Sequence, residues 1–384
     1  MNVGIICEYN PLHLGHVRQF EAVRQAFGED AAIICLMSGN FVQRGQPAVI
    51  DKSLRAKAAV RCGADLVLEL PVTAALSSAE GFAAAGVRIL SPICQVLCFG
   101  TETGTETTLM RTAKALLSPA FSVYLKEALE SGISFPAARE LALSKMGFSD
   151  ALVKNPNDIL GVEYCKAILS QNSQMKIFPI PRPGSYHARE ADGENPSATA
   201  VRSLMVSSGL WLDYVPKAAR PVFEDASIHT LAAGERAMLA RLRTMGEADF
   251  EALPYGSEGL WRKFMHAAGE RSSLEGILTA TKSKRYARSR IDRMAMCAFL
   301  GIRQEDLNAL PGYTRILAFN DRGRKVLSAF SQDCCLKNAG EKVEDPYWDL
   351  EQRVQDLYGL FCLDAPEAPG KEEKRRVYYD RNEE

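Results

Sequence analysis

His13 and His16 bracket Gly15 in the box His13-Leu14-Gly15-His16, the part of the chain whose residue types and spacing point most directly to chemistry. With five His and 28 Gly in 384 residues, random placement gives roughly 0.005 occurrences of His-x-Gly-His. The box comes after the apolar run Val3-Gly4-Ile5-Ile6-Cys7 and the turn Glu8-Tyr9-Asn10-Pro11. The run reads as a buried strand, Asn-Pro as a turn, and Val17 to Phe27 as a helix. A helix start presents backbone N–H groups and a positive dipole end, so an anion docks there. Gly15 lets the backbone approach a phosphate with no Cβ in the way. His13 and His16 share one helix face and can direct both imidazoles at the same phosphate, stabilising charge as pyrophosphate leaves. Zinc chelation is the competing chemistry. No cysteine pair or acidic helix motif adds ligands, so no protein-only metal site is expected.

Further groups suit phosphate or nucleic acid. Arg182 and Arg202 stand at the edges of polar loops, and a guanidinium is a planar fork suited to phosphate oxygens, or else a solvated charge. Thr199 adds a hydroxyl, and Ser197 is a fair N-cap for a helix that would supply a second dipole end. Asn157, in the polar turn Asn155-Pro156-Asn157-Asp158, either caps a helix or reaches a nucleotide group. Asp51, Lys52 and Arg55 cluster at a helix start, as a cradle for a small carboxylate or phosphate, or as a capped, exposed face. In the segment 282–293, Lys282, Lys284, Arg285, Arg288, Arg290 and Arg293 face one acid, Asp292. Such a cluster attracts phosphate backbones, and Tyr286 offers a ring for an unpaired base. Helical spacing puts Tyr286, Arg290 and Arg293 on roughly one face.

These residues need a scaffold. A hydrophobic fraction of 47% and a charged fraction of 24% are those of a globular protein, and the net charge of −1 excludes no class of partner. The apolar runs are too short for a membrane span. The N-terminus has no basic lead or small-residue cleavage site, which predicts a cytoplasmic protein with no membrane association. Most of the ten cysteines lie in apolar runs and read as buried thiols. Strands are predicted at Val3 to Cys7, Ala31 to Met37, Asp65 to Pro71, Gln95 to Gly100 and Lys176 to Pro181, alternating with helices. That alternation predicts an α/β fold, a Rossmann-like domain with a parallel sheet covered on both sides. Ligands then sit at the carboxyl ends of the strands, where the loops Tyr9 to His16, Ser38 to Arg44, Pro71 and Gly100 to Gly104 meet. Residues 217–363 read as mostly helical. The expected division is 1–214 catalytic, 215–364 helical and nucleic-acid-binding, and 365–384 a mobile, Pro-containing, charged tail.

Taken together these pieces resemble the nucleotidyltransferase superfamily with the His-x-Gly-His signature and, more narrowly, the tRNA(Met) cytidine acetate ligases. The matching segments are Glu8-Tyr9-Asn10-Pro11 with both histidines, Met37 to Gly45, Phe99-Gly100-Thr101-Glu102, Asn155 to Gly161, Ser197-Ala198-Thr199 through Arg202, and Lys284-Arg285-Tyr286 through Arg293. The resemblance runs from about residue 2 to about 360 and implies that ATP and acetate form acetyl-adenylate and pyrophosphate. The acetyl group then passes to the wobble cytidine of elongator tRNA(Met). It implies that Cys7, Glu8, Tyr9, Asn10, Pro11, His13, Gly15, His16, Gly100, Asn157, Arg182 and Thr199 hold ATP. It further implies that His13, His16 and Arg202 stabilise the transition state with Mg²⁺ between phosphates, and that the segment 282–293 grips tRNA. Cys7 departs from the aliphatic residue expected there. No obligatory protein partner is implied. A small-molecule adenylyltransferase explains the first half equally well but leaves the helical half and the basic segment unexplained. An RNA-binding protein that only senses ATP is the third reading.

Overall fold

The computed structural model describes residues 1–148, 152, 154–181, 197–207, 210–330 and 335–381. Among the described residues ten strands are found: β1 (Asn2–Cys7), β2 (Ala32–Ser38), β3 (Phe41–Val42), β4 (Gln46–Pro47), β5 (Leu66–Leu70), β6 (Val96–Thr101), β7 (Lys176–Pro181), β8 (Thr314–Asn320), β9 (Leu336–Asn338) and β10 (Tyr378–Asp380). Eight of them make one sheet in the order β10-β8-β5-β2-β1-β6-β7, with β9 also on β8. All pairs are parallel except β5 with β8. β3 and β4 form a small separate hairpin.

The strands are apolar on both faces because both faces are covered. On β2, Ile34 and Leu36 enter one core with Leu66 and Leu68, beneath the helices Ala79–Leu90, Glu106–Leu116 and Pro156–Ser170. Ile33, Cys35 and Met37 enter the other with Phe20 and Val23 of the Leu14–Phe27 helix and Ala56 and Ala59 of the Lys52–Arg61 helix. The chain leaves β1 toward β2 on one side and reaches β6 on the other. The turns after β1 and β6 therefore flank the point where the winding reverses, the place where such sheets bind ligands.

The second half is helical, but it does not stand apart. Its core takes in Phe41, Val72 and Leu76 from the first half. The chain then returns to the sheet. β8 pairs antiparallel with β5, and β10 extends the sheet beyond β8. The expected boundary at 214/215 therefore does not separate the sheet from the second half of the chain. An edge strand left open is a liability, and β8 covers that of β5. The expected mobile tail is also corrected. Glu372 is fully enclosed and Arg375 nearly so, because they complete a buried ionic network. Lys52 Nζ lies 2.6 Å from Glu69 and 2.8 Å from Glu372. Arg375 makes a two-point pair with Asp51 at 2.7 Å and reaches Glu372 at 2.6 Å. Arg315 of β8 sits 3.2 Å from Glu372, between the rings of Tyr313 and Trp348. Ions out of water persist only when so paired. Among the described residues no helix is long and apolar enough to cross a membrane.

Candidate active site

The turn after β1 is shaped by what its side chains hold. His13 is the N-cap of the Leu14–Phe27 helix, in extended backbone conformation. Its Nδ1 accepts from Gly15 N–H at 3.2 Å, and His16 Nδ1 accepts from His13 N–H at 3.2 Å. This reciprocal cap changes the sequence expectation in one respect: Gly15 N–H serves the cap. With each Nδ1 an acceptor, the neutral rings carry their protons on Nε2. The two rings stack at 3.8 Å, and Tyr9 meets His16 edge-on at 4.9 Å. A Cβ on Gly15 would lie 3.1 Å from the His13 ring, so the glycine leaves room for the ring as well as for a ligand.

Arg202 reaches this turn from the Ala198–Ser207 helix. Its Nη1 donates to Asn10 C=O at 2.6 Å and its Nη2 to Thr199 Oγ1 at 3.2 Å. Asn10 Oδ1 accepts from Val49 N–H at 2.7 Å, and the Asn10–Pro11 peptide is cis. The Glu8 carboxylate accepts from Gln43 N–H at 2.8 Å. Burial pushes the Glu8 carboxyl above its ordinary range, against the opposing pull of the Gln43 N–H, Arg202, Arg44 and Arg55. Tyr9 is buried with its hydroxyl 3.2 Å from Cys35 Sγ, and burial pushes the Cys7 thiol well up, so it stays neutral.

Arg55 is wholly buried, and with Lys52 it corrects the exposed-face expectation for that helix. Its guanidinium donates to the carbonyls of Ile50 at 2.8 Å, Glu8 at 2.5 Å and Ser38 at 3.2 Å, and to Gly39. One planar donor set thus fastens the turns after β1 and β2 together. Across the reversal point, Asp158 is buried and accepts from the N–H groups of Glu102 and Gly104 at 3.0 and 3.1 Å and from Thr103 Oγ1 at 2.7 Å. Asn157 Nδ2 donates to Glu102 at 2.8 Å. Asn157 and Gly100 are therefore brought to the rim where the turn after β6 faces the histidine turn, with Asn157 partly committed to shaping it. Arg182, with its loop 182–196, lies outside the described residues. Sequence reasoning missed the roles of Asp158, Glu102 and Gln43. Asp158 lay in the Pro-Asn-Asp segment already singled out, as a capping acid.

The basic segment divides in two. Lys282, Lys284 and Arg285 are exposed along a groove of about 560 Å³ that Ser134 and Pro136 close from the other side. Arg288 is held by Glu275 at 2.6 Å and Asp292 at 2.7 Å. Arg290 turns to Tyr255 C=O and Ser257, and buried Arg293 covers the Tyr255 ring and reaches Gln43 C=O. Tyr286 offers no open stacking face: it is 9% exposed and Arg290 lies 5.0 Å over its ring. The helix begins at Arg288, so Tyr286 precedes it.

Strand order, reversal point and capped histidine pair together define a nucleotidyltransferase. The family profile described as HIGH Nucleotidyl Transferase matches residues 1–373. Two curated relatives are the tRNA(Met) cytidine acetate ligases of Clostridium perfringens, 34% identical over 94% of this chain and 95% of its own, and of Acetivibrio thermocellus, 35% identical over 95% of each. Two solved structures of Thermotoga maritima TmcAL superpose over 99% of both chains: the apo form at TM-score 0.90 and 31% identity, and a form bound with alpha-thio ATP at 0.87 and 30%. The chain belongs to the tRNA(Met) cytidine acetate ligase family.

Proposed function

We propose that this protein is an ATP-dependent tRNA(Met) cytidine acetate ligase working through acetyl-adenylate, with the wobble cytidine of elongator tRNA(Met) as acceptor. The observation that carries the reading is the stacked, doubly capped pair His13 and His16 at a helix start beside the winding reversal. The family's ATP-analogue-bound relative supports ATP as the nucleotide. In the first step an acetate oxygen attacks the α-phosphorus in line. The bond to the bridging oxygen breaks, and pyrophosphate leaves with the electron pair. Nε2–H donors on both rings and the Arg202 guanidinium would neutralise the charge that develops, and the Gly15 turn would hold the phosphate in place. Arg182, by the family resemblance, would add a second guanidinium.

Free acetate is a poor acyl donor, and the cytosine amine, delocalised into its ring, is a poor nucleophile. Adenylation turns the acetate oxygen into a good leaving group. In the second step the amine nitrogen bonds to the acyl carbon, AMP departs with the electron pair, and the amine loses a proton. A wobble base lies in a loop, so presenting it costs little. Lys282, Lys284 and Arg285 would hold the tRNA backbone. The nearby carboxylates do not suit a protein-built Mg²⁺ cage: Glu8 serves Gln43 N–H, and Glu102 serves Asn157 and the N–H of Asp158. Mg²⁺ would arrive on the triphosphate.

Radiolabelled acetate with ATP and total tRNA, followed by nucleoside analysis, tests the reading. Label in 4-acetylcytidine of tRNA(Met) is the expected result. Adenylylation of another small acceptor without transfer to tRNA would return the chain to the cofactor adenylyltransferases.

A further inference from the structure

We propose that His229, Cys362 and Glu367 form a binding site for one borderline-soft divalent transition-metal ion, of which Zn²⁺ is the model. The three residues are far apart in sequence, and backbone pairing brings them together. His229 and Cys362 face each other across an antiparallel bridge, flanked by Thr230 N–H to Phe361 C=O at 2.9 Å and Leu363 N–H to Ile228 C=O at 2.8 Å. Glu367 is drawn in by its own N–H to Gly359 C=O at 3.0 Å. One donor atom from each residue lies within 4.8 Å of the other two. Metal–ligand bonds of about 2.0–2.3 Å would close that triangle by roughly an ångström.

The histidine supplies the second observation. Its side chain is 1% exposed, and its Nε2 has no hydrogen-bond partner. Nδ1 lies 3.2 Å from Ser227 C=O. A carbonyl brings no proton, so Nδ1–H donates and the neutral ring is left with a lone pair on Nε2. That lone pair faces a Glu367 carboxylate oxygen at 3.5 Å. Two electron-rich atoms so placed repel each other unless a cation lies between them. The other Glu367 oxygen is taken by Lys371 at 2.9 Å, which leaves the inner one for this role. A carbonyl on the second ring nitrogen is also how ligating histidines are commonly oriented. The ring is clamped by Tyr358, stacked at 4.0 Å and 14°, whose hydroxyl donates to Ala48 C=O, while His229 N–H donates to Val49 C=O. The ion would bind a neutral imidazole, a carboxylate and a thiolate, releasing the thiol proton to solvent. It would fasten the segment around Glu367 to the stretch 48–50 behind the histidine turn. The trio carries no spacing motif, which is why the sequence predicts no metal site.

The alternative cation is a proton: a metal-free imidazolium paired with Glu367. Titration of the full-length, metal-stripped protein with ZnCl₂ by calorimetry, and with CoCl₂ by absorption, separates the two. One equivalent of Zn²⁺ and a thiolate-to-cobalt charge-transfer band are expected. His229→Ala and Cys362→Ser should lose more than the roughly 10–100-fold in affinity that a merely supporting group costs, and Cys362→Ser should lose the band. Glu367→Gln, in a half-buried position, tests the site where a core variant fails to fold. Cys335→Ser, at an exposed thiol, should change nothing. Absence of saturable Zn²⁺ binding by the folded protein overturns the proposal. So does binding that Glu367→Gln leaves unchanged.

Discussion

Replacing Lys282, Lys284 and Arg285 together by Ala should remove a defined part of the salt dependence of tRNA binding. Each phosphate contact contributes about 0.7–0.9 to the slope of log K against log salt. The structure leaves three cations of the segment exposed and turns the other three to protein partners. Arg285 does meet Glu258 at 3.1 Å, but both side chains are about half exposed, and such surface pairs contribute roughly 0–1 kcal/mol and yield to a phosphate. Three contacts give a slope of about 2–3, which is roughly a 20–40-fold loss of affinity between about 50 and 200 mM salt. The triple variant should be flatter by that amount in filter binding of a tRNA(Met) transcript. Its ATP–pyrophosphate exchange should be unchanged, since none of the three touches the histidine turn. Arg288→Ala should leave the slope alone, because Arg288 is neutralised by Glu275 and Asp292. A slope unchanged in the triple variant, or reduced by Arg288→Ala, would refute the division of the segment.

His16→Ala removes one Nε2–H donor and the cap on His13 N–H; it should slow pyrophosphate exchange about 10²–10³-fold while tRNA affinity stays within about twofold. Deleting residues 366–384 strips Lys52, Asp51 and Arg315 of Glu372 and Arg375; breaking one buried pair costs roughly 3–5 kcal/mol, so thermal melting should fall sharply, and a truncated protein that melts like the full chain would sink the network reading. Burial and the nearby Glu69 charge push Glu351 up to about 7. A raised carboxyl favours the folded state while protonated, so relative to Glu351→Gln, wild-type stability should decline as pH rises from about 4.5 to about 7 in urea melts. Glu372 runs the other way: burial would raise it, but Lys52, Arg375 and Arg315 hold it at about 2. Its stabilising contribution is present above about pH 4.5 and is lost as pH falls toward about 2.

The parts of the fold legible in the sequence are those whose signal is local. β1, β2, β5, β6 and β7 stand as short apolar runs between turn residues, and the histidine box marks its own helix start. β8 is illegible because Thr314–Asn320 is a single run set among amphipathic helices, and nothing local says that it pairs with a strand far earlier in the chain. The tail misleads for a related reason. Composition equates mixed charge with solvent, and Glu372 and Arg375 are inside only because Asp51 and Lys52 of one segment and Arg315 of another wait there. Arg55 shows the same limit at the site. Its type predicts a surface, and only the convergence of carbonyls from two separate turns makes a buried guanidinium favourable. Tyr286 reads as a stacking ring because of its basic neighbours, but those neighbours are what cover it.

The segment 38–45 is where the two halves become one device. Asn40 donates to Asp51 at 3.0 Å and to Gln355 at 2.6 Å, and its Oδ1 takes Lys52 N–H at 2.7 Å. Phe41 is buried among Tyr358 and Phe361 of the helical core. Gln43 gives its N–H to Glu8 and its carbonyl to Arg293. Gly45, at φ +72°, lies so close to the Asp292–Arg293 backbone that a Cβ would come within 2.6–2.7 Å of it. A rigid link therefore runs from the helix next to the exposed cations to the carboxylate beside the histidines. On the proposed reading, a tRNA docked on the cations would meet an adenylation turn whose geometry depends on the same helix. Gly45→Ala should then impair acetyl transfer to tRNA more than it impairs ATP–pyrophosphate exchange or tRNA binding, because it misaligns two sites that each remain intact.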